Sequence, residues 1–366
     1  MLLCIFCRNE LDPTTRPEHI LLDCLGGRKT TRRAICSCCN NVFGSTIDAT
    51  LSSQIAEIRN MLQLRSGTGA NPPALRNVQA GNERFEFRPD GTPGLIGKPF
   101  VLYKKHDGTF DLQVRVNSSE QLQRLIPHIA AKIGCTESAL RNQLEKSQIQ
   151  SIYRCPGPAQ RNLGFGGPEA IRSIVKSFLV LWSTVVGNRE VQSDAYAEAR
   201  EFVQGRSKTF PINRATIDGR RLPCASAIEA RFGPLFNLIY VASNSTGRVV
   251  GHFTLYNMIA WRIVLAQHGG MANHSGELVS NPLDPSQWSG NGAGQIVLDF
   301  DWLNGPIDDG SALSSLPDRF TAVMQEYSRI AMRRETAKIV DETCLQRGIA
   351  PDGAISARRS RRSLPE

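Results

Sequence analysis

Two cysteine pairs near the N-terminus constrain this 366-residue chain more than any other feature. Cys4 and Cys7 form one Cys-x2-Cys pair, Cys36 and Cys39 form a second, and 28 residues lie between the pairs. Each pair presents two thiolates at the spacing that tetrahedral Zn²⁺ requires. We therefore predict a structural zinc ion that stabilises a unit too small to have a hydrophobic core of its own. Cys38 is an alternative ligand, but Cys36 and Cys39 have the correct spacing.

The composition predicts a folded protein that favours polyanionic partners. Hydrophobic residues make up 41% of the chain and charged residues 21%, and the formal charge is +9. Such a charge favours nucleic acid as a partner, although many basic proteins do not bind it. No signal-peptide pattern or membrane-length apolar run is present, so we expect a cytoplasmic protein without a membrane partner. In that compartment, six cysteines within the first forty residues indicate metal binding rather than disulfides.

Changes in composition divide the chain into four predicted segments. The expected fold class is α+β, with an N-terminal zinc-bound finger followed by a larger mixed α/β domain of unrecognised fold. The predicted order of elements in the finger is knuckle, strand, turn, strand, knuckle and helix. The segments are the finger at 1–65, a linker rich in Gly, Pro and Asn at 66–82, the α+β domain at 83–346, and a basic, disordered tail at 347–366.

Periodicity within the larger domain predicts individual elements. Helices are expected at 118–133, 136–146, 168–186, 194–204 and 317–346, and the helix at 168–186 is apolar around most of its circumference. Strands are expected at 84–88, 100–104, 110–116 and 295–301. Strand-type runs cover 228–243 and 249–267, although 255–266 also fits a helix, and a long polar loop covers 269–294.

Three polar residues of the finger suggest chemistry. Glu18 and His19 lie on its first predicted strand, and Asn40 starts the helix after the last cysteine. A metal held at a helix start beside a strand is within reach of all three side chains. A divalent cation there stabilises charge on a phosphate, while a neutral imidazole deprotonates water. This combination suits phosphodiester hydrolysis, whereas a Glu-His pair by itself is ordinarily a surface feature.

The combined motifs resemble the HNH endonuclease family, most closely its zinc-stapled subgroup. The matching pieces are the two Cys-x2-Cys pairs, Glu18-His19-Ile20, Gly26-Gly27, Asn40-Asn41, Phe43-Gly44-Ser45 and Asp48. The resemblance implies a ββα-metal finger with His19 as general base. It further implies that Glu18 and Asn40 bind a catalytic Mg²⁺ or similar divalent ion, separate from the structural zinc. It also implies a DNA substrate, double-stranded in the simplest case, and a context in bacterial restriction or phage defence.

One position departs from the family pattern. Thr31 lies five residues before Cys36, where the family normally has the asparagine that fixes the loop between the strands. A threonine hydroxyl still bonds backbone groups, so we keep Thr31 among the candidate site residues, and Asn41 is a further candidate for either polar role. The departure leaves a second hypothesis open, a zinc-stapled nucleic-acid-binding module without catalysis.

Basic residues surround the predicted turn and second strand of the finger. Arg28, Lys29, Arg32 and Arg33 are expected to contact phosphates, although a solvated turn has the same composition. The larger domain is expected to select the target or to regulate cleavage. A homodimer and a regulatory ligand or partner remain open alternatives, and the sequence contains no P-loop or dinucleotide fingerprint.

Overall fold

The computed structural model of the chain describes most of its residues. These are 2–12, 14–106, 109–116, 118–147, 157–159, 164–208, 210, 214–289, 296–307 and 309–347. They belong to two compact units, one formed by 1–51, 66–69 and 166–366, the other by 52–65 and 70–165. The α+β class is confirmed. Among the described residues, no helix has the length and apolarity needed to cross a membrane.

The first unit begins with the predicted finger. Strand β1 (Glu18–His19) pairs antiparallel with β2 (Thr30–Thr31), and a 3₁₀ turn at Asp23–Leu25 lies between them. Helix α1 (Ser37–Ser45) follows, and α2 (Ile47–Gln54) extends it. The expected order of strand, turn, strand and helix is therefore present, and each strand is two residues long.

The second unit starts at residue 52 and contains short sheets and two capped helices. After α3 (Ala56–Met61), strands β3 (Leu75–Ala80), β4 (Glu83–Phe87) and β5 (Pro93–Ile96) form one sheet. Strands β6 (Phe100–Lys104) and β7 (Phe110–Val114) form a hairpin. Helices α4 (Ser119–Ile133) and α5 (Glu137–Glu145) begin at Ser118 and Thr136, whose hydroxyls accept backbone N–H groups.

The first unit resumes with a buried helix and a five-stranded sheet. Helix α6 (Pro168–Val186) is followed by α7 (Asn188–Val191) and α8 (Ala197–Val203). The sheet is antiparallel, in the order β12-β9-β10-β11-β8. Its elements and the last helices are β8 (Ala215–Ile217), α9 (Ala225–Phe232), β9 (Asn237–Ser243), β10 (Val249–Leu255), β11 (Ile259–Ala266), β12 (Ser275–Ser280), α10 (Phe300–Asn304) and α11 (Asp309–Gln346).

Two glycines of the sheet bring α6 close to it. A Cβ at Gly251 on β10 would lie 2.9 Å from the Phe178 ring, and one at Gly276 on β12 would lie 2.5 Å from Val185 Cγ2. Larger residues would therefore push the helix away. The prediction that α6 is buried is confirmed, since Phe178 and Trp182 are both fully buried.

Several sequence predictions differ from the fold. The expected linker at 66–82 contains β3, and the polar loop at 269–294 contains β12. The strand-type run at 228–243 consists of α9 and β9, because Ala225, Ile228 and Phe232 follow helical spacing before Pro234 breaks the run. The strand predicted at 295–301 is wrong within the described residues 296–301. There the Tyr240 hydroxyl donates to Leu298 O and accepts from Leu298 N, in place of a strand ladder.

The four predicted segments do not coincide with the two compact units. Residues 1–51 form one unit with the C-terminal part of the chain rather than a unit of their own. The division at 65, 82 and 346 therefore stays a prediction about folding domains. The basic tail at 347–366 lies outside the described residues, apart from residue 347.

Candidate functional site

The four paired cysteines come together in space. The Sγ atoms of Cys4, Cys7, Cys36 and Cys39 all lie within 4.8 Å of one another. Zn–S bonds of about 2.3 Å place the sulfurs of a tetrahedral site about 3.8 Å apart, so this cluster fits the ion. Cys38 is exposed and lies outside the cluster. Spacing alone therefore indicated which four of the six N-terminal thiols assemble.

Proton affinities differ strongly within the cluster. A hydrogen bond with Cys39 lowers the pKa of Cys4 to about 5, whereas burial raises the pKa of Cys7 to about 11. The bond with Cys4 and burial raise the pKa of Cys39 as well. Thiolates this close repel one another, so ionising all of them together requires a bound cation, which is the chemistry a structural zinc supplies.

Local backbone geometry forms the two knuckles. The Ile5 N–H donates to Ala34 O at 2.9 Å, which joins the segments that carry the two cysteine pairs. Cys36 is the N-cap of α1, and its sulfur accepts the Cys39 N–H at 3.5 Å. The second knuckle therefore also starts the helix that carries Asn40.

Side-chain amides from α7 and the segments that follow it hold the first knuckle. Asn188 Nδ2 donates to Leu3 O at 2.7 Å and to Arg33 O at 2.6 Å. Gln192 Nε2 donates to Cys4 O at 3.0 Å, and Gln204 Nε2 donates to Phe6 O at 3.0 Å. These amides donate to main-chain carbonyls of the finger, of which Cys4 O also accepts the Arg8 N–H at 3.0 Å. Sequence reasoning missed them, because neutral amides on distant helices follow no pattern.

Glu18 belongs to a buried charge cluster. Its side chain is 5% exposed, and Lys176 Nζ on α6 donates to Glu18 Oε1 at 2.5 Å. The same ammonium donates to Asp48 Oδ2 at 2.5 Å, and the Ser173 hydroxyl donates to Asp48 Oδ1 at 2.6 Å. Glu18 is thus held by a residue far from the finger in sequence.

Burial and charge oppose each other within this cluster. Burial raises the pKa of Glu18, and the attraction of Lys176 offsets only part of that rise. Burial also disfavours the charge on Lys176, but the Asp48 and Glu18 carboxylates raise its pKa above the ordinary value. Lys176 is therefore a charged ammonium shared by two carboxylates.

His19 lies beside Glu18 with its imidazole partly open to solvent. Its side chain is 29% exposed, and Nε2 lies 3.9 Å from Asp23 Oδ1. Burial lowers the pKa of His19, and Asp23 partly opposes this, so the ring is mainly neutral near pH 7. Asp23 is itself fixed, because Thr68 donates its N–H to Oδ1 at 2.7 Å and its hydroxyl to Oδ2 at 3.1 Å. Sequence reasoning did not single out Asp23.

Asn40 and Thr31 both lie near β1. Asn40 Nδ2 is 3.5 Å from Pro17 O, one residue before Glu18, so the structure brings the start of α1 beside β1. Thr31 pairs with Glu18 across the two strands, and its hydroxyl accepts the Arg33 N–H at 3.1 Å. That hydroxyl therefore bonds within its own turn.

Comparison with known proteins identifies this part of the chain. Residues 4–56 match the family model described as HNH endonuclease. The resemblance of the N-terminal segment to the HNH endonuclease family is confirmed. No curated protein and no solved structure matches the chain. The matched residues, here called the HNH segment, include the four cysteines, Glu18, His19 and Asn40, whereas α6 with Lys176 lies outside them.

The basic residues of the HNH segment differ in their accessibility. Arg28, Arg32 and Arg33 are exposed, although Arg32 Nη1 also donates to Thr15 O at 3.0 Å. The Lys29 Nζ atom is buried, and burial lowers the pKa of its ammonium. The arginines are therefore better placed than Lys29 for the predicted phosphate contacts.

Proposed function

We propose that the HNH segment makes this protein a metal-dependent endonuclease that hydrolyses phosphodiester bonds in double-stranded DNA. The observation that carries the proposal is the edge formed by β1 and α1. There His19, which is partly exposed and has a lowered pKa, follows Glu18 on β1. Asn40 lies at the start of α1, with its Nδ2 atom 3.5 Å from Pro17 O. The family match and the cysteine cluster support the same reading.

Glu18 and Asn40 are the residues proposed to hold a catalytic Mg²⁺ or similar ion. Both offer oxygen donors, and Mg²⁺ binds through one or two protein oxygens while it keeps several waters. Such a cation stabilises negative charge on the phosphate and on the leaving oxygen. The structural zinc is proposed to remain with Cys4, Cys7, Cys36 and Cys39.

His19 is proposed to act as the general base. It accepts a proton from water while the water oxygen bonds to phosphorus, and the bond from phosphorus to the leaving strand breaks. The leaving oxygen then takes a proton from solvent. A neutral imidazole is required for the first transfer, and the lowered pKa of His19 provides it near pH 7.

Substrate binding is proposed to depend on charge. Arg28, Arg32 and Arg33 would contact phosphates regardless of sequence, so affinity should fall as salt rises. Lys29 and Thr31 stay in the proposed site, with a supporting role. Selection or regulation by residues 83–346, a homodimer that cuts both strands, a cytoplasmic location, and a context in bacterial restriction or phage defence also belong to this proposal.

Nicking of supercoiled plasmid tests the proposal. We expect wild type to nick in Mg²⁺ or Mn²⁺, and we expect His19→Ala to be slower by a factor of about 10² to 10⁴, since the general base is lost. His268→Ala, at an exposed histidine of the same unit, should nick like wild type. Equal nicking by wild type and His19→Ala would refute the assignment of His19.

A second candidate is a zinc-stapled nucleic-acid-binding module without catalysis. Two observations favour it: Lys176 donates to Glu18 Oε1, and the Thr31 hydroxyl bonds within its own turn. Such a module would bind DNA in a salt-sensitive way and give no product in any divalent ion.

A further inference from the structure

We propose that Lys176 is a positioning residue for the reaction, a lysine outside the HNH segment that fixes the Glu18 carboxylate for the cation. The inference rests on the proposed function, because it assigns a partner to the proposed metal ligand. Lys176 lies 158 residues from Glu18 in sequence, on the buried helix α6. It therefore makes the site depend on the C-terminal part of the chain.

The hydrogen bonds of the cluster distinguish its two carboxylates. Asp48 is engaged at both oxygens, Oδ1 by the Ser173 hydroxyl and Oδ2 by Lys176. Glu18 receives the ammonium at Oε1, and Oε2 is the oxygen that we assign to the proposed cation. Asp48 thus anchors Lys176, and Glu18 is the carboxylate of the cluster that lies on β1 next to His19.

Packing makes Lys176 a rigid support. A lysine stem ordinarily has several rotamers, and ordering it costs side-chain entropy. Here the side chain is 1% exposed, on a helix whose Phe178 contacts β10 and whose Val185 contacts β12. The sheet therefore fixes the position of the helix, and the helix fixes the position of the Lys176 ammonium. The ammonium in turn fixes the position of Glu18 Oε1.

The proposed role of Lys176 is to orient the Glu18 carboxylate, because its positive charge does not attract a cation. A positive charge beside a metal ligand weakens the attraction of that ligand for a cation, so an unconstrained lysine would compete with the ion. Partners of metal ligands that lie outside the coordination sphere ordinarily improve metal affinity by fixing the ligand's orientation. Removal of Lys176 should therefore weaken metal binding if the lysine positions Glu18, and should tighten it if the lysine competes with the ion.

A double variant isolates this role. Lys176→Met with Asp48→Asn removes the ammonium and one carboxylate, so the cluster keeps its net charge and Glu18 keeps its carboxylate. Ser177→Ala, at the adjacent fully buried position, is the matched control. Each full-length protein is titrated with Mn²⁺ without DNA, followed by electron paramagnetic resonance, and is then assayed for plasmid nicking against Mg²⁺ concentration.

If Lys176 positions Glu18, the double variant should bind Mn²⁺ about tenfold more weakly than wild type. Its half-saturating Mg²⁺ concentration for nicking should rise by a similar factor, and Ser177→Ala should match wild type in both. Unchanged or tighter Mn²⁺ binding overturns the proposal, and tighter binding would identify Lys176 as a competitor of the ion. If the double variant does not fold, Lys176→Arg keeps the charge with a different geometry, and the same two outcomes decide.

The Mn²⁺ titration separates this proposal from the proposed function. A wild-type protein that binds Mn²⁺ but does not nick DNA refutes the nuclease, and the affinity comparison still decides the role of Lys176. A wild-type protein that binds no Mn²⁺ beyond the cysteine cluster overturns both.

Discussion

The cysteine cluster and the Glu18 edge belong to the same HNH segment but differ in where their direct side-chain partners lie in the sequence. The cysteine ligands all lie within residues 4–39 and meet through two tight knuckles. Glu18 instead has its buried partner 158 residues away, and that partner also binds Asp48, 128 residues away. The ligands of the predicted zinc site are therefore close together in sequence, whereas the edge proposed to do the chemistry requires a partner from α6.

The largest expected effect comes from breaking the local site. Cys36→Ser removes a predicted zinc ligand and the N-cap of α1, and apparent zinc-binding energies of about 10–16 kcal/mol contribute directly to folding in small zinc domains. We expect the zinc content to fall from about one ion per chain towards none, with loss of the finger's cooperative melting. Zinc analysis after gel filtration and circular dichroism melting measure both.

Cys38→Ser is the matched control, because Cys38 is an exposed thiol of the same knuckle. It should keep its zinc and its melting temperature. If Cys38→Ser lost zinc while Cys36→Ser kept it, the ligand set would be wrong and Cys38 would be a ligand.

A smaller effect is expected where the C-terminal part supports the first knuckle. Asn188→Ala removes its hydrogen bonds to Leu3 O and Arg33 O, although Gln192 Nε2 still lies 3.4 Å from Leu3 O. An unsatisfied buried group costs about 1–3 kcal/mol, so we expect a loss of about 1–3 kcal/mol in the free energy of unfolding, measured by urea denaturation, with the zinc retained.

Arg189→Ala, at the exposed neighbour on α7, should change that free energy by less than about 0.5 kcal/mol. If Asn188→Ala were equally neutral, the knuckle would not depend on these amides. The cysteine cluster would then be local in its support as well as in its ligands.

Local patterns predicted much of the fold. Helix α6 begins and ends at the predicted residues 168 and 186, because its apolar residues follow helical spacing along its length and Pro168 and Gly187 bound it. β12 was missed, since its sequence Ser-Gly-Glu-Leu-Val-Ser begins with polar residues and carries Glu277 at a position that is 6% exposed. Burial by tertiary packing overrode the polar pattern.

The residues of the candidate site also differ in whether the sequence could predict them. Cys-x-x-Cys spacing and the Glu-His pair could be identified in the sequence, because their chemistry depends on near neighbours. Lys176 and Asn188 could not, because their partners are set by which helix packs against the finger. A faint signal existed for Lys176, which is a charged residue within the most apolar helix of the chain and therefore needs a buried counter-charge.

Metal dependence tests most directly the claim that the shape and the chemistry of the HNH segment depend on different ions. Wild-type protein dialysed against EDTA should retain about one zinc per chain and should not nick plasmid. Added Mg²⁺ or Mn²⁺ should restore nicking, and added Zn²⁺ should not. Nicking by the EDTA-dialysed protein, or no product in any divalent ion, would contradict the claim.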